Sequence, residues 1–262
     1  MNIYVMTDAE GLCGIFDKEQ VNSDGSRYNE CREYMTREVN VVVEALKEAG
    51  ADRIYVRDAH GGGNNVIWDK LSDKAYRYII GNTGKDRFIG IEDCDGVILL
   101  GYHAMAGTRG AVLEHSMSSA RIQNYWINGM PAGEIAIDSG IAGDFNKPVI
   151  MVTGDNYACA EAKKLLPWTV TCEVKKSTAL YGVMIPPMKQ AYALLAEKAK
   201  EAYGKLASMK PLVYDKPITF RVEVVERNAV PNPYAKPYLK IIDGRTYEVT
   251  ADTMEEALFR HY

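Results

Sequence analysis

MNIYVMTDAEGLCG, residues 1–14, is the stretch from which the fold can be read. Residues 3–7 form an apolar run too short for a helix, which makes it a buried strand. The run stops at Asp8 and Glu10, one alanine apart, with Gly11 directly behind them. Two carboxylates at that spacing are either a tight turn or the start of a binding site. What the rest of the chain brings beside them decides between the two.

Downstream, Cys31, Met35, Val39, Val42, Val43 and Leu46 recur at helical spacing across residues 28–49, and Gly50 follows as a stop. A second strand, DRIYVRDAH (52–60), precedes the loop GGGNN. YRYII (76–80) is a third strand, DGVILLGYH (95–103) a strongly apolar one, and KPVIMVTGD (147–155) another, backed by a helix over 156–166. Strands alternating with helices at this rhythm predict an α/β fold: a mostly parallel sheet with helices on both faces. Asn128-Gly129 marks a hairpin. Beyond residue 170 the character changes. A long helix over 188–206, a strand over 218–225, a strand pair over 238–250 turning at Asp243-Gly244, and a closing helix capped by Thr250 or Asp252 describe a smaller C-terminal α+β lobe. The division expected is 1–170 for the catalytic α/β domain and 171–262 for a lobe serving assembly.

The carboxyl ends of parallel strands share one edge, and ligands bind in the crevice there. On this reading Asp8 and Glu10, Asp58 and His60, His103, and Asp155 all end strands on that edge, with His115 nearby. Taken singly, each has a plain structural explanation, as a cap, a turn or a hydrogen-bonded histidine. Together, Asp8 and Glu10 read better as ligands than as a turn. Carboxylates with neutral imidazoles suit zinc, manganese or iron rather than calcium or magnesium. Asp8, Glu10, His60, His103 and one further acid suit a bridged metal pair. Asp155 and Glu134 compete for that last place. Glu134 sits in the first turn of a helix, where the helix dipole is by itself a sufficient reason for an acid.

The 262 residues are 47% hydrophobic and 25% charged, with a net charge of −4, which is ordinary for a globular chain and offers nucleic acid no basic track. The densest basic cluster, Lys163-Lys164 to Lys175-Lys176, reads as a solvated face. Five widely spaced cysteines without a C-x-x-C fit a reducing compartment. Acids arrive too early for a secretory signal, and no apolar window is long enough to span a bilayer, so a cytoplasmic location is expected.

Several motifs in order, D-A-E-G (8–11), D-A-H (58–60), L-G-Y-H-A (100–104), E-H-S (114–116), I-N-G-M-P-A-G-E (127–134) and V-x-G-D (152–155), make the chain resemble the DppA-type D-aminopeptidases. The resemblance implies a zinc-dependent metallo-aminopeptidase acting on short peptides. It implies two zinc ions per subunit on Asp8, Glu10, His60, His103 and Glu134, with Asp8 bridging and His115 catalytic. His115 then stabilises the oxyanion or passes a proton to the leaving amine. Asp155 is left the part of orienting a histidine. The resemblance also implies a homo-oligomer, a decameric ring, and a D-preference. Tyr102, Met105 or a neighbouring subunit are the groups expected to set that stereochemistry. Two rival readings compete: a metal-dependent phosphohydrolase using Asp8 and Glu10, and a non-catalytic metal-binding scaffold. L-specific peptidase activity is the nearer alternative.

Overall fold

The computed structural model describes residues 1–261. The chain runs through strands β1 (Ile3–Thr7), β2 (Ile54–Asp58), β3 (Arg77–Ile79), β4 (Gly96–Leu100), β5 (Ile122–Ile127) and β6 (Met130–Ala132). It continues through β7 (Val149–Asp155), β8 (Val170–Ala179), β9 (Gly182–Met184), β10 (Ile218–Val224), β11 (Lys240–Ile241) and β12 (Thr246–Ala251). The helices are α1 (Lys18–Val21), α2 (Tyr28–Glu48), α3 (Glu134–Asp144), α4 (Asn156–Leu165), α5 (Met188–Lys205) and α6 (Met254–His261).

Seven strands form one sheet in the order β3-β2-β1-β4-β7-β8-β9, parallel except for β9. Every residue of β1 is buried, because both faces of the sheet are covered. Ile3 and Val5 pack towards α2 and α5, while Tyr4 and Met6 enter a second core with α4 and the other sheet. That other sheet is antiparallel, in the order β11-β12-β10-β5-β6. The β5–β6 hairpin turns at Asn128 and Gly129, whose φ values of 49° and 82° are those a two-residue I′ turn requires. Gly129 accepts this backbone without strain.

Membership in the sheets does not divide at residue 170. β8 and β9 extend the first sheet, whereas β5 and β6 join the C-terminal strands in the second. The ten-residue β8 follows α4 so closely that it pairs with β7 in parallel, Met151 opposite Val170. The closing helix is capped by Thr253, whose Oγ1 accepts from Glu256 N–H at 3.2 Å, rather than by Thr250 or Asp252. No helix among the described residues is long and apolar enough to cross a membrane. All five cysteines are free and buried.

The chain leaves β1 for β2 and β3 on one side and returns to β4 on the other, which places the topological switch point between β1 and β4. The register puts Thr7 level with Asp58 and with Leu100. Asp8, His60 and His103 therefore leave three adjacent strands within one to three residues of a common level.

Candidate metal centre

The loop after β1 is held by its neighbours. Asp8 N–H donates to Leu100 O at 2.8 Å and Gly11 N–H to Gly101 O at 2.7 Å. A Cβ on Gly11 would stand 1.9 Å from the Tyr102 carbonyl oxygen, so only glycine lets the loop pass this closely. From below, Lys175 Nζ donates to the carbonyl oxygens of Glu10 (2.5 Å), Leu12 (2.9 Å) and Ile15 (2.6 Å). Lys175 is 2% exposed, which corrects the expectation of a solvated face at this one lysine, while Lys163, Lys164 and Lys176 are exposed as expected. The cause is a bulge in β8: Gly154 pairs with Glu173 but Asp155 with Lys175, so Val174 is skipped and Lys175 turns inward. All three ammonium protons are used on the metal-side loop. Lys175→Met leaves the buried carbonyls of Glu10 and Ile15 unpaired and removes one of two donors from Leu12 O, and is expected to lower the unfolding free energy by about 3 kcal/mol. Denaturant unfolding measures this, and an unchanged midpoint would refute the tie.

Asp8, Glu10, His60, His103, His115 and Glu134 meet at the switch point. His60 Nδ1 lies 3.0 Å from Asp8 Oδ1 and 3.2 Å from Glu10 Oε2. His103 Nε2 lies 3.4 Å from Asp8 Oδ2 and 3.2 Å from Glu134 Oε1, and His115 Nε2 lies 3.8 Å from that same glutamate oxygen. The rings of His103 and His115 stack at 4.0 Å. Each histidine gives its other nitrogen to a backbone carbonyl: His60 Nε2 to Val21 O (2.8 Å), His103 Nδ1 to Ala104 O (3.0 Å), His115 Nδ1 to Leu113 O (2.9 Å). A carbonyl only accepts, so these nitrogens carry hydrogens, and in the neutral ring the opposite nitrogen turns its lone pair to the carboxylates. That is the orientation in which imidazole binds metal.

Asp8 Oδ2, Glu10 Oε2 and His103 Nε2 are buried and lack a hydrogen-bond partner. Close approach without hydrogen bonding is what atoms aimed at a shared centre produce, since orphaned buried polar atoms are otherwise costly. Asp8, Glu10 and His103 offer ligand atoms mutually within 4.8 Å, and so do His103, His115 and Glu134. The two groups meet at His103, and their nitrogen and oxygen donors suit a cation of the zinc type.

The electrostatics agree with that reading. Burial and the adjacent Glu10 raise the Asp8 pKa. For Glu10, burial is outweighed by His60 and the other imidazoles, which hold it below the usual carboxylate range. Glu134 is likewise brought down to about 2, burial being overcome by His103. His103 rises to about 10 and His60 also rises: burial opposes both, but Glu134 and Glu10 respectively prevail. Without a cation these carboxylates hold protons on the imidazoles that face them, and a bound cation would take the place of those protons.

The centre opens into a cavity of about 950 Å³ lined in part by Tyr28, Asn65, Arg87, Ser118 and Tyr181. Of the two acids competing for the fifth place, Glu134 stands in the cluster, where its Oε1 also accepts from Met117 N–H at 2.6 Å. Asp155 does not. It caps α4 through Ala158 N–H at 2.8 Å and reaches Val112 N–H at 3.4 Å, so it holds no histidine. Tyr102 is buried with its hydroxyl on Asp138 at 2.6 Å, and neither it nor Met105 lines the cavity. Sequence reasoning missed Lys175 and Arg87. A lone arginine in a loop carries no signal; its partner Asp138 lies 51 residues away.

Comparison with known proteins follows from this geometry. A family model described as D-aminopeptidase matches residues 1–260. A D-aminopeptidase of Bacillus subtilis (strain 168) is 34% identical over 221 residues, 83% of this chain and 80% of the relative. A solved structure, described as the Zn-dependent D-aminopeptidase DppA from Bacillus subtilis, a self-compartmentalizing protease, superposes with a TM-score of 0.94 at 30% identity. That match covers 99% of this chain and 95% of the other.

Proposed function

The chain belongs to the D-aminopeptidase family, and from that premise we propose that it removes the N-terminal residue of short peptides, with two zinc ions and a catalytic histidine. The observation that carries this reading is the set of orphaned buried atoms on Asp8, Glu10 and His103, facing one another at the switch point. Asp8 would be shared between the two ions, its Oδ1 facing His60 and its Oδ2 facing His103. Glu10 and His60 complete one side, and His103 and Glu134 the other. Zinc bound there supplies Lewis-acid polarisation of the scissile carbonyl and lowers the pKa of an attacking water.

The chain's own residues do the rest. His115 keeps Nδ1–H on Leu113 O, so Nε2 is the atom that takes a proton and delivers it to the leaving amine. Stacking on His103 fixes the plane of its ring. The same reading includes a ring-shaped homo-oligomer, decameric in form, that admits only short peptides. The exposed apolar side chains of Leu180, Tyr181, Met184 and Ile185 support such a covered surface. A phosphohydrolase built on Asp8 and Glu10 gives no reason for His60 and His103 to face them.

The test is amine release from D-alanyl and L-alanyl amide by zinc-loaded protein, with a chelated control. Chelator-sensitive cleavage of the D-isomer alone is expected. Cleavage of the L-isomer overturns the stereochemistry while keeping the reaction. Chelator-insensitive cleavage, or magnesium-dependent phosphate release instead, refutes the reading.

A further inference from the structure

A second cavity, of about 400 Å³, adjoins the metal cavity and shares with it Ala59, Gly61, Gly62 and Arg87. Its own wall carries Arg57 and Thr83. Arg57 projects from β2 on the same side as Tyr55, opposite Asp58. It is 7% exposed. Its Nη1 donates to Gly81 O at 2.7 Å and lies 3.4 Å from Ile79 O, and Nη2 reaches Thr83 Oγ1 at 3.3 Å. Nε has no partner, and no carboxylate among the described residues forms an ion pair with this guanidinium, although Asp58 and Asp86 stand near enough to favour its charge. Asp58, beside it in sequence, is taken up by Asn65 N–H (2.5 Å), Asn65 Nδ2 (2.7 Å) and Val66 N–H (3.0 Å). Arg87 is used on Asp138 through Nε (2.5 Å) and Nη2 (2.9 Å), which leaves its Nη1 without a protein acceptor.

A buried guanidinium remains charged and is unfavourable without a counter-charge. Here one stands on the wall of an empty space, beside a second arginine, a short step from the metal centre. We propose that this cavity is an oxyanion subsite that receives the C-terminal carboxylate of the peptide substrate on Arg57 and Arg87. The assignment rests on the aminopeptidase reading above. A peptide with its N-terminal residue at Asp8 and Glu10 passes its remaining backbone over Gly61 and Gly62, where no side chain obstructs it. Because an extended residue spans only about 3.3–3.6 Å, a peptide engaging both ends is short. Chain length is thus selected within one subunit as well as by any ring around it.

The experiment compares D-alanyl-D-alanine with its C-terminal amide on the zinc-loaded protein. A charge-assisted contact to a planar carboxylate is expected to favour the free acid by about 10- to 100-fold in kcat/KM, mostly through KM. Arg57→Met brings the acid down to the level of the amide, and Arg57→Lys, which keeps the charge, retains part of the preference. Equal kcat/KM for acid and amide in the unaltered protein overturns the proposal without any variant, which covers the case that R57M does not fold. Inorganic phosphate is the second probe. If it raises the melting temperature of the unaltered protein but not of R57M while acid and amide are cleaved alike, the pocket serves a free anion and the assignment to the substrate terminus fails. If neither peptide is cleaved, the aminopeptidase reading is what has failed. In that event the subsite stands only if the acid, and not the amide, raises the melting temperature in an Arg57-dependent way.

Discussion

His115→Ala is expected to retain two zinc ions per chain and to lose about 10²- to 10⁴-fold in kcat, the usual worth of a positioned general acid or base. The reason lies in the environment of the residue. His115 is partly exposed on the cavity wall, whereas His103 behind it is buried and faces two carboxylates. His115 meets only Glu134, and at 3.8 Å. It has one nitrogen fixed by Leu113 O and the other free to exchange a proton. The competing possibility is a ligand role, since His103, His115 and Glu134 also form a group of suitable size. Zinc analysis of H115A separates the two. Retained metal with lost turnover supports proton transfer, and loss of one zinc makes His115 a ligand.

The second large effect belongs to Asp8. Its two oxygens point to different histidines, so Asp8→Asn is expected to weaken both zinc sites together. The loss in affinity should exceed the roughly 10- to 100-fold that removing an outer-shell partner costs. Glu10→Gln and Glu134→Gln, each on one side of the bridge, should weaken one site and spare most of the other. Titration against a competing chelator follows both sites in each variant. If D8N lost a single zinc and kept the second at full affinity, Asp8 would not be the bridge.

Much of this centre was legible in the primary structure because parallel strands carry their ends to a common edge. The apolar runs before Asp8, His60 and His103 could be recognised as strands by length and composition, and the order of the sheet then did the assembling. Glu134 was harder. A first-turn glutamate has its own helical justification, and Asp155 ends a strand on the same edge. Apart from the family resemblance, which favours Glu134, only the three-dimensional path of α3 separates them.

What sequence reasoning missed depends on contacts without periodicity. The inward turn of Lys175 comes from a one-residue bulge, which leaves no mark in VTCEVKKSTA beyond two lysines that look solvated. The hairpin at Asn128-Gly129 was recognisable, but its partner β10 lies about ninety residues later: Ile127 pairs with Phe220. Local signals do not encode such a pairing, so the second sheet could not be drawn from them. Arg57 sits in a strand that reads as an ordinary buried one, and its lack of a counter-ion is visible only when its surroundings are known.

The metal pair proposed at the β1–β4 switch point would lie on either side of Asp8. Anomalous diffraction at the zinc edge from zinc-grown crystals tests it most directly. Two peaks are expected on either side of the Asp8 carboxylate, one near His60 and Glu10 and one near His103 and Glu134, with ligand distances of about 2.0–2.2 Å. A single peak, or two peaks that leave Asp8 uncoordinated, would contradict it.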